Sequence, residues 1–323
     1  MLYPLKFEPI LKHRIWGGRK LKDVLQKEYA DDQTIGESWE LSGIEGDESV
    51  VINGELAGNT INDLLEIYMD ELVGGKVFDQ FGFTFPLLFK FLDANENLSI
   101  QVHPTDEIAE EQDSFGKTEM WYVINAEEGA ELIVGFSEPI DKDTFLQHMQ
   151  NGTLESILKK EKVRSGDVFF IPAGLIHSIG KGILLAEIQQ SSDLTYRIYD
   201  YNRVDENGNP RPLHIEQALE VIDFENHANA KVQYQKIVNQ SASLVKCEYF
   251  TTNLLSFDKT ISKDYSDLDS FVVLMCLSGS FEIKWDGGKE LVSKGETILI
   301  PSELGQIDFI TQKVVDVLEV SVG

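Results

Sequence analysis

Four residues of this chain are of the types that bind divalent metals. Gln101 and His103 are two apart in an apolar, strand-like segment, so their side chains point to the same face. Glu119 precedes the next apolar segment, and His177 follows the run at 168–171. Two imidazoles, a carboxylate and an amide oxygen suit Zn²⁺ best and also permit Fe²⁺, Mn²⁺ or Co²⁺. We therefore predict a mixed nitrogen–oxygen metal site.

A strand and a tight turn are expected to position His177. The segment GDVFFIPAGLIH contains an apolar run, then Pro172, which fixes φ, and Gly174, which can take a positive φ. We expect His177 to end the strand that holds Phe169 and Ile171. One histidine after a strand is more often a structural turn residue, so the prediction depends on the whole set of four. The other histidines are interpreted as surface or structural: His13, His148, His214 and His227.

Short apolar runs punctuated by Gly, Asn, Asp and Pro dominate the rest of the chain. They predict a mainly β protein built from jelly-roll barrels. The runs are FPLLFKFL, LSIQVHP, MWYVINA, AELIVGF, DVFFIPA, GILLAEIQQ, FVVLMCLSG, SFEIKW, ETILIPS and VVDVLEVSV. A few short helices are predicted from apolar spacings of three and four residues and from capping signals, at Asn59–Asp70, Thr105–Glu111, Asp141–Lys160 and Leu213–Ile222.

An internal repeat indicates two related barrels. Residues 165–177 (SGDVFFIPAGLIH) align with residues 294–306 (KGETILIPSELGQ) at an offset of 129. In this alignment Gln306 stands where the first copy has His177. We expect a catalytic domain at 1–230 with helical insertions and a domain at 231–323 that lacks metal ligands, joined by a polar linker around 223–236.

Composition limits the partners and the compartment. Lys and Arg number 28 and Asp and Glu 55, a formal net charge of −27, which disfavours nucleic acid and anionic membranes. The sequence has no apolar run of about 18 residues, and its first 18 residues do not resemble a signal peptide. The two cysteines, Cys247 and Cys276, lie in strand-like contexts. We expect a cytoplasmic protein, either monomer or dimer.

The motifs together resemble one family. Gly166-x5-Pro172-x-Gly174-x2-His177 resembles the second motif of the cupin superfamily. The first cupin motif appears as Gln101-x-His103, with Glu119 sixteen residues past His103. This form resembles the type I phosphomannose isomerases, in their short bacterial form. Further similar segments are HRIWGG, GESWELSG, FPLLFKFLDANENLSIQVHP, GKTEMWYV, PAGLIHSIG and QSSDLTYRIYDYNR.

The resemblance implies two cupin domains and an aldose–ketose isomerase that interconverts mannose 6-phosphate and fructose 6-phosphate through a cis-enediol. It implies one Zn²⁺ per chain and a small phosphorylated sugar as substrate. Arg197 corresponds to the catalytic arginine, Lys117 is a second candidate for chemistry, and Lys90 and Ser99 correspond to positions proposed to hold the phosphate. The metal ligands implied are Gln101, His103, Glu119 and His177.

Several alternatives remain open from the sequence. An Fe²⁺-dependent cupin oxygenase would use the same ligand types, but it predicts an apolar pocket without a basic cluster. A sugar-binding cupin without turnover is a second alternative. Arg197 could instead form a structural ion pair with Asp193 or Asp200. The proton-transfer base is open among a metal-bound water, Lys117 and another carboxylate.

Overall fold

The protein is mainly β, and its strands form antiparallel sheets. A computed structural model describes residues 2–204, 207–225 and 229–323. In chain order the strands are β1 (Leu5–Lys6), β2 (Ile10–Gly18), β3 (Ile35–Leu41), β4 (Leu87–Ala94), β5 (Ile100–Val102), β6 (Glu119–Ala126), β7 (Glu131–Phe136), β8 (Leu158–Lys162), β9 (Val168–Ile171), β10 (His177–Ile179), β11 (Ile183–Gln190), β12 (Tyr196–Tyr199), β13 (Lys231–Val232), β14 (Gln240–Lys246), β15 (Thr251–Phe257), β16 (Ile261–Asp264), β17 (Val272–Ser278), β18 (Ser280–Trp285), β19 (Gly288–Ser293), β20 (Thr297–Ile300), β21 (Gln306–Ile310) and β22 (Val315–Ser321). All ten predicted strands are confirmed.

The helices of the described residues are short. They are α1 (Lys20–Asp23), α2 (Ile61–Val73), α3 (Gly75–Phe81), α4 (Asp106–Ala109), α5 (Lys142–Gln150) and α6 (Ile215–Val221), with 3₁₀ turns at Glu110–Gln112 and Leu154–Ser156. The prediction of one helix over Asp141–Lys160 is wrong in its second half, which forms a 3₁₀ turn and β8. In β8 Lys160 and Lys162 are exposed while Lys159 and Glu161 are half-buried, the two-residue period of a strand. No described helix is long and apolar enough to cross a membrane.

Four sheets are stacked in the order five, seven, six and four strands. The five-stranded sheet has the order β12-β5-β10-β7-β8, and the seven-stranded sheet β13-β9-β6-β11-β4-β3-β2. The six-stranded sheet has the order β1-β20-β17-β22-β15-β14, and the four-stranded sheet β16-β21-β18-β19. The stacking order follows from the apolar residues that successive sheets share.

An apolar core fills each space between sheets. Trp121 and Phe169 pack against Leu132 between the five- and seven-stranded sheets. The seven- and six-stranded sheets share a larger core, in which Phe89 and Val273 are both buried. A third core lies between the six- and four-stranded sheets. Helices α5 and α6 cover the outer face of the five-stranded sheet. The five- and seven-stranded sheets thus form a first sandwich and the six- and four-stranded sheets a second, and the core between the seven- and six-stranded sheets joins the two.

The repeat seen in the sequence is also present in the sheet order. Strands β9-β6-β11 of the first sandwich have the same neighbours as β20-β17-β22 of the second. Likewise β5-β10-β7-β8 correspond to β16-β21-β18-β19. Gly166 and Gly295, the second residues of the two copies, both have positive φ, 89° and 83°. The two sandwiches therefore share one connectivity.

One expectation about the end of the first repeat needs correction, and the second repeat differs from the first in the burial of its last residue. His177 does not end the strand of Phe169 and Ile171; it begins β10, which lies in the opposite sheet. Gln306 is exposed, while Ile307 is buried in the second core. The loops 172–176 and 301–305 have the same length, so Gln306 begins β21 as His177 begins β10. The first inward side chain of β21 is that of Ile307.

Two strands, one near each end of the expected catalytic domain, pair across the boundary between the two domains. β1, at the start of the chain, pairs with β20 in the six-stranded sheet, with Leu5 opposite Leu299. β13 follows the expected boundary at residue 230, yet it pairs with β9 in the seven-stranded sheet, with Lys231 opposite Phe169.

Candidate metal centre and its cavity

Three predicted site residues lie in one row across the five-stranded sheet. His177 on β10 is directly opposite Gln101 on β5, and Gln101 is opposite Arg197 on β12. Paired residues of neighbouring strands present their side chains on the same face. His103 follows β5 directly, two residues after Gln101. The sheet register therefore places an imidazole, an amide and a guanidinium side by side.

Glu119 reaches the same place from the facing sheet. It begins β6, where it pairs with Ile171 and Gln189. Its carboxylate oxygens lie 3.5 Å from His103 Nε2 and 3.5 Å from His177 Nε2. Ligand atoms of the three residues all lie within 4.8 Å of one another. Among residues 2–204, 207–225 and 229–323, no other group of three or more His, Cys, Asp or Glu residues is this close together. All three side chains are buried.

Backbone carbonyls fix the orientation of both imidazoles. His103 Nδ1 lies 3.0 Å from the Leu194 carbonyl oxygen, and His177 Nδ1 lies 2.8 Å from that of Leu175. A hydrogen bond from Nδ1 places the proton there and leaves Nε2 as the free lone pair. His103 Nε2 and both Glu119 oxygens are buried without a hydrogen-bond partner. Buried polar atoms normally have partners, so these atoms converge on a point suited to a cation.

The electrostatics keep these ligands in the form that a metal needs. Burial lowers the pKa of His103 to about 3, and the nearby Lys117 ammonium contributes. Burial also lowers the pKa of His177. Burial opposes ionisation of Glu119, yet Lys117 and the imidazoles hold the pKa of this carboxyl well below its usual range. Two neutral imidazoles and a carboxylate are therefore present at neutral pH.

The fourth predicted ligand, Gln101, borders this cluster. Its Nε2 lies 3.3 Å from His177 Nε2, and its Oε1 accepts a hydrogen bond of 3.2 Å from Ser99 Oγ. The oxygen and nitrogen of a glutamine amide are assigned from their hydrogen bonds. Rotating the amide by half a turn would direct Oε1 at the cluster and leave Nε2 to donate to Ser99. Gln101 is thus in place to act as a ligand in the rotated form.

A cavity of about 570 Å³ opens beside the cluster, a size typical of small-molecule sites. It contains all the other predicted site residues: Lys90, Ser99, Lys117 and Arg197. Lys117 Nζ lies 3.4 Å from Glu119 Oε2, and Lys90 Nζ lies 3.2 Å from Glu187 Oε1. Both lysines are buried. With Gln101, five of the eight predicted residues therefore line this cavity, and the other three form the buried cluster beside it.

The cavity also contains residues that the sequence reasoning did not identify. Glu187 is opposite Lys90 in the sheet and accepts a hydrogen bond of 2.9 Å from Trp121 Nε1. Glu37 lies 2.7 Å from Arg14 Nε and 2.6 Å from Trp39 Nε1. The missed residues on the cavity wall include Lys12, Arg14, Glu37, Glu187 and Arg211. For two of them the sequence contains a signal, a charged residue within an apolar run: Glu187 in GILLAEIQQ and Glu37 in GESWELSG.

Arg197 is not paired with Asp200. Asp200 instead bridges Arg203 and Arg211, at 2.5 and 2.6 Å. Arg197 Nη1 donates to the Pro212 carbonyl at 2.9 Å, and its Nε is buried without a partner. Arg203 also donates to the Asn97 carbonyl, and it does not line the cavity. Arg211 lines the cavity together with Arg197.

Three of the remaining histidines form hydrogen bonds away from the metal-ligand cluster. His13 Nε2 lies 3.1 Å from Thr34 Oγ1, and His148 Nδ1 lies 2.8 Å from Thr153 Oγ1. His214 Nδ1 accepts the backbone N–H of Arg197 at 3.1 Å, so it helps to hold that strand. His227 lies outside the described residues.

The fold and site define a class of protein: stacked β-sandwiches with one buried His–Glu–His cluster beside a polar, sugar-sized cavity. Residues 4–136 match the family model "phosphomannose isomerase type I, catalytic domain". The chain is 37% identical to a probable mannose-6-phosphate isomerase of Bacillus subtilis, over 95% of this chain and 96% of that one. It is 35% identical to the mannose-6-phosphate isomerase of Streptococcus mutans, with 96% of both chains covered. A crystal structure of the mannose 6-phosphate isomerase from Bacillus subtilis superposes with a TM-score of 0.88 at 31% identity, covering 99% of each chain.

This chain therefore belongs to the type I phosphomannose isomerase family, and it is an isomerase. A putative mannosephosphate isomerase structure from Archaeoglobus fulgidus, 20% identical with a TM-score of 0.79, shares the fold over 98% of this chain and 96% of that one.

Proposed function

We propose that this chain interconverts mannose 6-phosphate and fructose 6-phosphate, and that Gln101, His103, Glu119 and His177 hold one Zn²⁺. The observation that carries the proposal is the convergence of unpartnered, buried ligand atoms, His103 Nε2 and both Glu119 oxygens, beside a polar cavity of about 570 Å³. Nitrogen and oxygen donors without thiolate fit Zn²⁺, and other divalent metals remain compatible with the same donors. When bound, the metal supplies Lewis acidity that polarises the sugar's carbonyl oxygen.

Proton transfer requires a group that takes a proton from C2 of the aldose and returns one to C1. Burial, and the charge of Glu119, raise the pKa of Glu187 above the usual glutamate value, which suits a carboxylate that exchanges protons. Burial alone would lower the pKa of Lys117, but Glu119 and Glu187 raise it. Lys117 is therefore a cation at neutral pH. We assign proton transfer at carbon to Glu187, and stabilisation of the developing oxyanion to Lys117.

Arg197 is a second donor to the developing oxyanion in this proposal, and with the remaining wall residues it binds the substrate. Arg197 stays charged at any working pH, and it lines the cavity together with Arg211. Lys90 and Ser99 lie deeper, where Lys90 contacts Glu187 and comes within 4.0 Å of Glu37 Oε2. A phosphorylated sugar is supported by these basic side chains, in a protein whose net charge is strongly negative. An oxygenase pocket for an apolar substrate would lack them.

The finer architecture is part of the proposal. We infer that each sandwich is a cupin-type barrel, with the catalytic barrel at 1–230 and a barrel without metal ligands at 231–323. The shared strand connectivity, and the apolar Ile307 as the first inward residue of β21, support this division. The domain boundary is not strict, because β1 pairs with β20 and β13 pairs with β9 across residue 230. Two free cysteines are consistent with a cytoplasmic protein, either monomer or dimer.

Metal removal tests the function. Purified protein is assayed on mannose 6-phosphate as prepared, after chelation verified by elemental analysis, and after Zn²⁺ is restored. We expect turnover to be lost with the metal and to return with Zn²⁺. Absence of turnover in the metal-loaded protein would contradict the isomerase assignment. Full turnover after verified metal removal would contradict the metal's role instead.

A further inference from the structure

We propose that Tyr249, in the second sandwich, is a positioning residue for the segment 116–119 that carries Glu119. The proposal rests on the proposed metal site, and its experiment includes a measurement that does not depend on that site. Tyr249 lies in the turn between β14 and β15, in the half of the chain without a metal cluster. Its hydroxyl donates a 2.7 Å hydrogen bond to Asp106 Oδ2, at the start of α4 in the first sandwich.

Asp106 passes this contact on to the segment before Glu119. Its second oxygen, Oδ1, accepts the backbone N–H of Gly116 at 2.7 Å and Gln190 Nε2 at 2.9 Å. Gln190 Oε1 in turn accepts the backbone N–H of Thr118 at 2.8 Å. One carboxylate thus ties together a residue of the second sandwich, the end of β11 and two backbone amides beside Glu119.

The close fit at Gly116 shows that this segment and α4 are packed as one unit. A Cβ on Gly116 would lie 2.5 Å from the Asp106 backbone nitrogen, so only glycine allows this approach. Lys117 N–H donates to the Pro104 carbonyl at 3.0 Å, and Pro104 directly follows His103. On the other side, Thr118 Oγ1 accepts the Ala173 N–H of the Pro-x-Gly turn at 3.3 Å. The segment therefore links the elements that carry His103 and His177.

The Tyr249 hydroxyl is the point at which the second sandwich holds this unit. A carboxylate that already accepts two donors at Oδ1 is further ordered by a third donor at Oδ2. Partners behind a ligand fix its orientation, and their loss typically costs about 10–100-fold in metal affinity. Tyr249 does not contact a ligand directly but acts through Asp106 and the backbone. We therefore expect its loss to lower metal affinity by about tenfold, the smaller end of that range.

The experiment compares Tyr249→Phe with Tyr265→Phe in the full-length protein. Tyr265 is a matched control, because its hydroxyl also donates to a carboxylate, Glu319 Oε1 at 2.6 Å, but within the second sandwich. Hydrogen exchange of metal-free protein is measured for the peptide covering 114–120, and the Zn²⁺ dissociation constant is measured by competition with a chelator. Asp106→Asn is a third variant, since its amide keeps an oxygen for Gly116 and can donate to the Tyr249 hydroxyl.

For Tyr249→Phe we expect about tenfold faster exchange at Gly116 and Thr118 and about tenfold weaker Zn²⁺ binding. Tyr265→Phe should change neither, and Asp106→Asn should stay close to wild type in both. Wild-type exchange and Zn²⁺ affinity in Tyr249→Phe would overturn the proposal. An equal effect from Tyr265→Phe would also overturn it, by showing general loosening. The exchange measurement still decides if the protein proves inactive on mannose 6-phosphate.

Discussion

At the scale of single residues, the atoms proposed to hold a metal are separate from those proposed to contact the substrate. His103 has Nδ1 committed to the Leu194 carbonyl and Nε2 free toward Glu119. Arg197 lies in the same row as His177 and Gln101, but at the edge strand β12 and in the cavity wall. Removal of the His103 side chain is therefore expected to affect metal binding, and removal of the Arg197 side chain to affect turnover.

This separation gives a first prediction. His103→Ala should lose bound metal and, with it, turnover, because Glu119 and His177 cannot complete the site. Arg197→Ala should keep metal and lose about 10²–10³ in kcat, the usual cost of removing an oxyanion-stabilising donor. Elemental analysis and steady-state kinetics on both variants measure this. Normal turnover in Arg197→Ala would show that the assignment of Arg197 is wrong.

The lowered pKa values give a second prediction, on pH. Protons compete with a metal for imidazole only near and below the pKa of that imidazole, and burial lowers the pKa of His103 to about 3 and lowers that of His177. Two ordinary imidazoles, with a pKa of about 6.5, would weaken binding about 100-fold between pH 7.5 and 5.5. We expect a change of less than about threefold in Zn²⁺ affinity, measured by competition. A loss near 100-fold would contradict the burial of the apo site.

At the scale of elements, the Pro-x-Gly turn connects the two sheets that supply the ligands. Gly174 has φ of 84°, its N–H donates to the His103 carbonyl at 2.9 Å, and a Cβ there would lie 2.9 Å from the Val221 carbonyl oxygen. The sequence identified this turn correctly, since Pro172 and Gly174 define it locally. That His177 then enters the opposite sheet depends on pairing with Gln101 and Val134, which no local pattern contains.

Gly174→Ala tests the turn. Left-handed strain and the close carbonyl should lower the free energy of unfolding by about 1–3 kcal/mol, and Zn²⁺ affinity should fall because the turn holds His103. Gly129→Ala is the control: Gly129 has φ of 79°, with nothing within 4 Å of an added Cβ. It should cost about 1 kcal/mol and leave metal binding unchanged. Urea unfolding and metal competition measure both; equal losses of affinity would contradict a specific role of the turn.

Patterns in the sequence predicted the elements better than the connections between them. Apolar runs such as those of β6 and β11 were recognisable because burial on both faces leaves a continuous hydrophobic segment. The exposed strand β16 and the short strand β10 carry no such signal. Glu187 was missed for a related reason: a single carboxylate in a buried run has meaning only once Lys90 is known to lie opposite. Register, which depends on distant residues, was the missing information.

At the scale of the whole molecule, the largest apolar core belongs to neither sandwich alone. It lies between the seven- and six-stranded sheets and includes the ring contact of Phe85 with Phe271, whose centroids are 4.9 Å apart. Strand β1 also pairs with β20 across this boundary. A sandwich without a metal cluster is thus required to bury one face of the sheet that carries Glu119 and Glu187.

The shared core predicts that both halves unfold together. Metal-free protein should show one calorimetric transition with equal van't Hoff and calorimetric enthalpies. Phe271→Ala should lower the free energy of unfolding by about 3–5 kcal/mol, since the side chain is fully buried. Hydrogen exchange in urea should then report the same loss for β11 of the first half as for β22 of the second. Destabilisation confined to β22 would show that the two sandwiches unfold independently. The second sandwich would then support the metal site only through local contacts, such as that of Tyr249 with Asp106.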